Sequence, residues 1–311
     1  MSEKIKTIVI AGPTASGKTA LSIEIAKRYN GEVVSADSMQ IYTNMPIASA
    51  AVTEEEADGI KHHLVGFASP THRFSVAEFV GLADIAVNDI NERNKLPIIT
   101  GGTGLYLDSL ISGVRFSRED STEIRAKLEA EADEKGIAVL LERLKTIDPL
   151  SAAKLHLNDR KRIIRALEIF ELHKIPKSQL DEASKLLGER YDTLWLGITY
   201  RDRELLYERI NKRVDQMLEK GLLDEAREAF LTETKATSVQ AIGHKELFPY
   251  FKGEMSLEQV TEGLKTETRR YAKRQLTWFR RNDRINWIYA DETPDMVRKA
   301  CEYIDKFLND F

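Results

Sequence analysis

The sequence predicts an α/β protein, a parallel sheet flanked by helices and interrupted by an all-helical insertion. Three observations carry this expectation. A glycine loop, Gly12-Pro13-Thr14-Ala15-Ser16-Gly17-Lys18-Thr19, joins an apolar β-branched run to a helical pattern. Further apolar runs of strand length alternate with helical stretches, the signature of a sheet covered on its faces. From about Ser117 to Gly188 the strand signals vanish and charged, helical patterns take over. The expected division is a core domain of residues 1–116 and 189–311, with a helical insertion domain at 117–188.

The first strand is Thr7-Ile8-Val9-Ile10-Ala11, and the first helix runs from Lys18 to Arg28 with Leu21, Ile25 and Ala26 on one face. The loop between them fits the P-loop pattern of Gly, four residues, Gly-Lys-Ser/Thr. Glycines there let backbone N–H groups close around phosphate oxygens, and the helix N-terminus adds partial positive charge. Lys18 supplies a full charge, and the Thr19 hydroxyl can reach a Mg²⁺ ion. The sheet is therefore expected to be P-loop NTPase-like. Such a loop indicates that phosphate is bound, without saying that it is transferred.

Composition sets bounds on the function. The chain has 311 residues, 42% hydrophobic and 31% charged, which suits one large or two modest globular domains. It has no apolar run of membrane length, and Met1-Ser2-Glu3-Lys4 leads straight into the first strand, leaving no room for a signal peptide. Cys301 is the only cysteine, which excludes a disulfide framework and fits a reducing cytoplasm. The net charge of −4 means that any nucleic-acid surface must be a local cluster.

The second strand, Glu32-Val33-Val34-Ser35-Ala36, ends at Asp37-Ser38-Met39-Gln40. Ligands of such sheets sit at the carboxyl ends of strands, so Asp37 is expected beside the phosphates. It reads either as a helix cap or Mg²⁺ ligand, or as a general base facing a substrate amine. Thr53-Glu54-Glu55-Glu56 and Ser75-Val76-Ala77-Glu78 have the form of capping boxes before helices. Between them, Lys61-His62-His63-Leu64 reads as a packed loop rather than a metal site, because no regular ligand spacing follows. The third strand, Leu96-Pro97-Ile98-Ile99, runs into Thr100-Gly101-Gly102-Thr103-Gly104. Those glycines read as a backbone brought close to a ligand, or as a tight strand–helix turn.

In the insertion, Asp120 to Glu123 can cap a helix, Gly136 separates two more, and Asp148-Pro149 opens another segment. The run Asp159-Arg160-Lys161-Arg162-Ile163-Ile164-Arg165-Ala166-Leu167-Glu168 is a helix with a basic start, either a solvated face or a phosphate grip. The sheet resumes at Leu194 to Thr199. A helix from Asp202 to Lys220 carries Arg209 and Arg213 four apart, on one face. Ser238-Val239-Gln240-Ala241-Ile242-Gly243-His244-Lys245 follows, and Ser256 to Gln259 can cap another helix. Thr268 to Arg284 interleaves cations with Tyr271, Trp278 and Phe279. That suits a nucleic-acid surface or a helix with a buried aromatic face, about equally. Ile285 to Tyr289 reads as a last strand and residues 295–309 as a closing helix.

Taken in order, Gly12 to Thr19, Asp37 to Tyr42, His62-His63-Leu64, Gly101 to Tyr106, Asp159 to Glu168 and Ala272 to Phe279 resemble the tRNA isopentenyltransferase family over nearly the full length. Eukaryotic members often carry a C-terminal zinc finger; with one cysteine, this chain resembles the bacterial form. The family's enzymes move a dimethylallyl group from its diphosphate to N6 of adenine 37 of certain tRNAs. By this resemblance, Gly12 to Thr19 hold the diphosphate, Lys18, Thr19 with Mg²⁺ and Arg213 stabilise it as it leaves, and Asp37 is the base. Thr103 corresponds to a contact with the target nucleotide, and Ser38, Met39 and Gln40 to contacts with the tRNA. Arg125, Lys161, Arg162, Arg165, Gln240, Gly243, Lys245, Lys273 and Arg274 are expected to face the tRNA. The expected partners are dimethylallyl diphosphate and the anticodon stem-loop of tRNA, with no membrane, for a monomer in the cytoplasm. Prenylation of free AMP, ADP or ATP is the alternative, and a P-loop nucleotide kinase a more distant one. The basic segments 160–165 and 269–284 favour tRNA.

Overall fold

The computed structural model describes residues 4–113, 121–186, 188–231 and 241–309. The chain forms two compact units, Met1–Ile111 with Arg190–Phe311, and Ser112–Glu189. Arg190 ties the two ends of the first unit together: its N–H donates to Ile111 O at 2.9 Å and its Nε to Leu110 O at 3.2 Å. The chain thus leaves and re-enters this unit at one point. The exit lies a few residues before the expected 116/117 boundary, because the backbone pairing with Arg190 ends the unit at Ile111.

The first unit is built on one six-stranded parallel sheet in the order β3-β2-β4-β1-β5-β6. Its strands are β1 (Lys6–Ala11), β2 (Gly31–Ser35), β3 (His62–His63), β4 (Leu96–Gly101), β5 (Asp192–Thr199) and β6 (Asn286–Tyr289). The β-branched run of β1 is buried from Thr7 to Ala11, as a strand flanked by neighbours on both edges requires. Helices α1 (Lys18–Arg28), α2 (Pro46–Ser49), α3 (Glu54–Ala57), α4 (Val76–Glu92) and α5 (Gly104–Ile111) precede the insertion. Ile8, Ile10, Leu21, Ile25, Ile98, Ile198 and Ile304 form the core on one face of the sheet.

The capping boxes at Thr53/Glu56 and Ser75/Glu78 both form. The helix after Thr53 lasts one turn, and His62-His63 is an edge strand rather than a loop. Its pairing is tertiary in origin. Glu32 is buried beneath it, where Arg93, Lys95 and His63 hydrogen-bond the carboxylate, and Arg93 leads in holding its pKa below the usual range.

The second unit is helical throughout its described residues: α6 (Thr122–Lys135), α7 (Ile137–Ile147), α8 (Pro149–Ala152), α9 (Arg160–His173) and α10 (Lys177–Leu186). Leu128, Leu140, Leu144, Ile163, Ile164 and Leu167 form its own core. Gly136, at φ +83°, separates α6 from α7, and Asp148 caps α8. Asp120 lies outside the described residues. Ser121 stands at the cap position of α6 but turns its hydroxyl to Glu168 instead.

The first unit resumes after β5 with α11 (Arg203–Glu219), α12 (Leu222–Leu231), α13 (Phe248–Phe251), α14 (Leu257–Phe279) and α15 (Met296–Asn309). The basic-aromatic segment belongs to α14, whose capping box at Ser256/Gln259 forms. Val260, Leu264, Thr268, Ala272, Gln275 and Phe279 recur every three or four residues on its buried face. The inward stripe includes Phe279 but leaves Tyr271, Leu276 and Trp278 half-buried, while Lys273, Arg274, Arg280 and Arg281 are exposed, as either reading of the segment requires. Among the described residues no helix is long and apolar enough to cross a membrane.

Candidate active site at the carboxyl edge of the sheet

The strand order places three loops together. β4 lies between β2 and β1, so the loops after these strands, Asp37-Ser38, Gly102-Thr103 and Gly12–Gly17, emerge side by side at the carboxyl edge.

The phosphate loop is shaped by its glycines. Gly12 has φ +154°, and a Cβ there would meet Ile198 O at 2.3 Å. Gly17 turns into α1 at φ +100°. Ala15 adopts φ +61°, and its carbonyl accepts the Arg209 Nε–H at 3.2 Å. Lys18 Nζ donates to Pro13 O at 2.7 Å, folded back into the loop. Its pKa is lowered to about 8, chiefly by burial and further by Arg213, with Asp37 opposing. Burial also lowers Arg213, which Asp37 again opposes. Lys18, Arg213 and Asp37 therefore lie within electrostatic reach of one another.

Asp37 accepts the Met39 N–H on Oδ1 at 2.9 Å, and among the described residues its Oδ2 accepts no hydrogen bond. The helix-cap reading is set aside by this geometry: Asp37 closes a local turn and keeps one oxygen free. Thr103 anchors the neighbouring loop, its Oγ1 accepting the Ser38 N–H at 3.0 Å and donating to Ser38 Oγ at 3.3 Å. Gln40 turns inward, accepting from Ser35 Oγ at 2.8 Å and donating to Ala50 O at 3.1 Å. Met39 packs against the cluster of Ile41, Tyr42, Met45, Ala68 and Ala241.

The glycines after β4 answer to protein contacts. An added Cβ would meet Ala36 O at 2.2 Å from Gly101, Gln275 Nε2 at 2.2 Å from Gly102 and the Trp278 ring at 2.2 Å from Gly104. They admit the end of β2 and α14 to close range, as the tight-turn reading of these glycines requires. Tyr271, one turn before Gln275, sits beside Thr103 and Gln275. Burial, with Asp37 adding to it, raises its pKa.

Residues 241–247 pack behind the Asp37 loop. His244 Nε2 donates to the buried Glu225 at 2.8 Å, and Glu225 also accepts the Ile47 and Ala48 N–H groups at 2.8 and 2.9 Å. Gly243, at φ +118°, gives its N–H to Glu246, and Lys245 is exposed. Gln240 lies outside the described residues. Lys273 is exposed, and the exposed Arg274 stacks over Tyr271 at 5.7 Å.

In the second unit the basic run divides. Arg160 is committed to Glu129 and Asp133. Arg125 and Arg165 both pair with the buried Glu168, at 3.1 and 2.7 Å. Lys161 is exposed, as is Arg162, which pairs with Asp159 at 3.4 Å.

Thr19 is exposed in the first turn of α1, and no bond occupies its hydroxyl among the described residues. The described residues bring no three His, Cys, Asp or Glu side chains together as a metal cluster. One hard hydroxyl donor beside a phosphate loop nonetheless fits Mg²⁺, which takes most of its remaining ligands from phosphate and water. Arg209, four residues from Arg213, and Tyr271, in the basic-aromatic segment, are legible in the sequence, whereas nothing local marks Gln275.

A loop shaped for a phosphate tail, with a free carboxylate oxygen beside it, defines a phosphate-binding P-loop protein. The sequence pattern of the IPP transferase family matches residues 40–282, and that of Isopentenyl transferase matches residues 5–66. The chain belongs to the IPP transferase family. It is 51% identical over 301 residues to the tRNA dimethylallyltransferase of Acetivibrio thermocellus, covering 95% of this chain and 96% of the relative. It is 47% identical over 292 residues to that of Caldanaerobacter subterraneus subsp. tengcongensis, covering 93% of each. The crystal structure of the full-length tRNA isopentenylpyrophosphate transferase from Bacillus halodurans superposes with a TM-score of 0.72 at 41% identity, over 98% of this chain and 97% of that one. A eukaryotic dimethylallyltransferase acting on tRNA gives a TM-score of 0.85 at 31% identity, over 98% of this chain and 79% of that one.

The titration of Lys18 has a measurable consequence. Below about pH 8 its ammonium is charged and attracts a diphosphate, and above that the charge is lost. Pyrophosphate affinity, measured by calorimetry across a pH series, is expected to weaken as pH rises through that value. Lys18→Met is expected to bind weakly with this step removed.

Proposed function

We propose that the protein transfers a dimethylallyl group from dimethylallyl diphosphate to N6 of adenine 37 in the anticodon loop of tRNA, giving N6-dimethylallyladenosine and diphosphate. The observation that carries this reading is the position of Asp37, with one free oxygen, in reach of Lys18 and Arg213 and beside the Thr103 loop. The relatives named tRNA dimethylallyltransferase support it along nearly the whole chain.

The phosphate loop, with Lys18 and Arg213, holds the diphosphate and stabilises charge that grows as the allylic C–O bond breaks. The electron pair of that bond leaves with the diphosphate. The N6 lone pair forms the new C–N bond, and Asp37 Oδ2 takes the N6 proton. Mg²⁺, held by Thr19, would neutralise part of the diphosphate charge when bound. Thr103 and Ser38 brace each other and so fix the wall beside the flipped adenine. Gln40, bonded inward, supports that loop from behind.

In this reading Lys161, Arg162, Lys245, Lys273 and Arg274 contact tRNA phosphates directly. Arg125 and Arg165 do so from a fixed position, because the buried Glu168 carboxylate holds both guanidinium groups. Incubation with dimethylallyl diphosphate and either tRNA or AMP tests the acceptor. Modified tRNA and no useful product from AMP is the expected result; rapid prenylation of AMP with none of tRNA would make this the free-nucleotide enzyme.

The phosphate contacts are tested by salt dependence. Arg162→Ala and, separately, Arg274→Ala are expected to weaken tRNA binding and flatten its log–log salt slope by about 0.7–0.9 for each phosphate no longer neutralised. Donor affinity is expected to stay unchanged. A tRNA slope equal to wild type in both variants would leave these side chains as solvated helix faces.

A further inference from the structure

We propose that Gln275 is a positioning residue that sets the spacing between the phosphate loop and the acceptor-side loop. The inference rests on the transfer reaction proposed above. Gln275 is buried at 5% exposure, between the two loops. Its Oε1 accepts the Thr14 N–H at 2.9 Å, and its Nε2 donates to Gly102 O at 3.0 Å. The orientation of the carboxamide follows from its partners, since a backbone N–H can only donate and a carbonyl can only accept. One planar group thus joins the loop after β1 to the loop after β4.

The second loop is in turn fixed to the same helix. Trp278, one turn beyond Gln275, donates from Nε1 to Asp108 of α5 at 2.7 Å, and Gly104 fits against its ring. The Gln275 amide packs against Gly102, where a Cβ would fall 2.2 Å from Nε2. α14 and the Thr103 loop therefore form one assembly, and Gln275 is its link to the phosphate loop.

The link bears on rate because the two loops hold different reactants. The phosphate loop places the allylic carbon, and the Asp37–Thr103 side places the amine. A misplacement of about 1 Å between reacting atoms can cost on the order of 10²-fold even when both reactants still bind. Both polar atoms of Gln275 are committed to backbone groups of the two loops, so its contribution should appear in the chemical step and not in either affinity.

Substitution by Leu removes both bonds. Substitution by Glu preserves the shape. As a carboxylate, Glu still accepts the Thr14 N–H but repels Gly102 O; as a carboxylic acid, it donates to Gly102 O and restores both bonds. Burial beside a carbonyl favours that neutral form.

The experiment is single-turnover transfer to tRNA at saturating donor. Wild type, Gln275→Leu and Gln275→Glu are compared at each pH from about 9 down to about 6, with donor and tRNA dissociation constants and melting temperature measured alongside. Gln275→Leu is expected to be about 10–100-fold slower, with both dissociation constants within about threefold of wild type. Gln275→Glu is expected to match Gln275→Leu at high pH and to approach wild type as pH falls. Taking the ratio to wild type at each pH cancels the pH effects that the variants share with the wild type. A Gln275→Leu enzyme at wild-type rate would overturn the proposal, and so would a Gln275→Glu deficit that is flat with pH. Loss of donor affinity at an unchanged rate would also overturn it, by making Gln275 a support of the phosphate loop alone. If Gln275→Leu does not fold, the pH response of Gln275→Glu still decides. A wild type that does not prenylate tRNA would instead remove the reaction proposed above.

Discussion

Asp37→Asn is expected to slow single-turnover transfer by roughly 10²–10⁴-fold, the range for loss of a positioned general base. The exocyclic amine of adenine is a poor nucleophile because its lone pair is delocalised into the ring, so the proton must be accepted as the C–N bond forms. Asparagine has the size of aspartate, and its carbonyl oxygen can still accept the Met39 N–H, so the local turn should survive. What disappears is the proton-accepting oxygen and the negative charge. That charge favours the protonated forms of Lys18 and Arg213, so a modest weakening of donor binding at alkaline pH should accompany the slow step. Rapid-quench kinetics at saturating donor and tRNA separate the two effects. A normal rate with collapsed donor affinity would reassign Asp37 to metal binding.

Lys18→Ala is expected to be nearly as damaging, by a different route. The lysine meets charge that is larger in the transition state than in the bound donor, so it contributes to rate as well as to affinity. Removal of one such preorganised donor typically costs about 10²–10³ in turnover. In the free protein the ammonium is bonded to Pro13 O, which keeps it in place within the loop before the donor arrives. Pyrophosphate should compete with dimethylallyl diphosphate in the wild type and far less well in the variant. Wild-type turnover by Lys18→Ala at saturating donor would mean that the phosphate loop is not the active site.

Much of this molecule was legible in the sequence because the relevant physics is local. The β-branched run before Gly12, the apolar face of Lys18 to Arg28 and the three capping boxes each depend on residues a few positions apart. The helical insertion was legible for the same reason, since its core lies on the faces of its own helices. The phosphate loop and Asp37 could be identified because a strand end next to a glycine loop is where such sheets bind ligands.

Other features depended on residues far apart in the chain. The strand at His62-His63 pairs with Val33 and Val34 of β2, beside a Glu32 carboxylate shared by His63, Arg93 and Lys95, which no propensity of two histidines predicts. The glycines at 101, 102 and 104 read as a backbone close to a ligand or as a tight turn; only the packed structure shows Ala36, Gln275 and Trp278 against them. The basic run at 160–165 looked uniform. Among the described residues only Arg160 is tied to another helix, by Glu129 and Asp133; Arg165 pairs with the buried Glu168 three residues on, and Arg162, exposed like Lys161, with Asp159. Gln275 shows the limit most directly. In sequence it is one polar residue in a basic helix. Its two bonds reach across 261 and 173 positions of chain. The sequence by itself determined the chemistry available: a loop for phosphate, a carboxylate, and cations in clusters. The tertiary structure decided which of these groups stand together, because a buried polar group takes its partners from whatever the fold brings within hydrogen-bond reach.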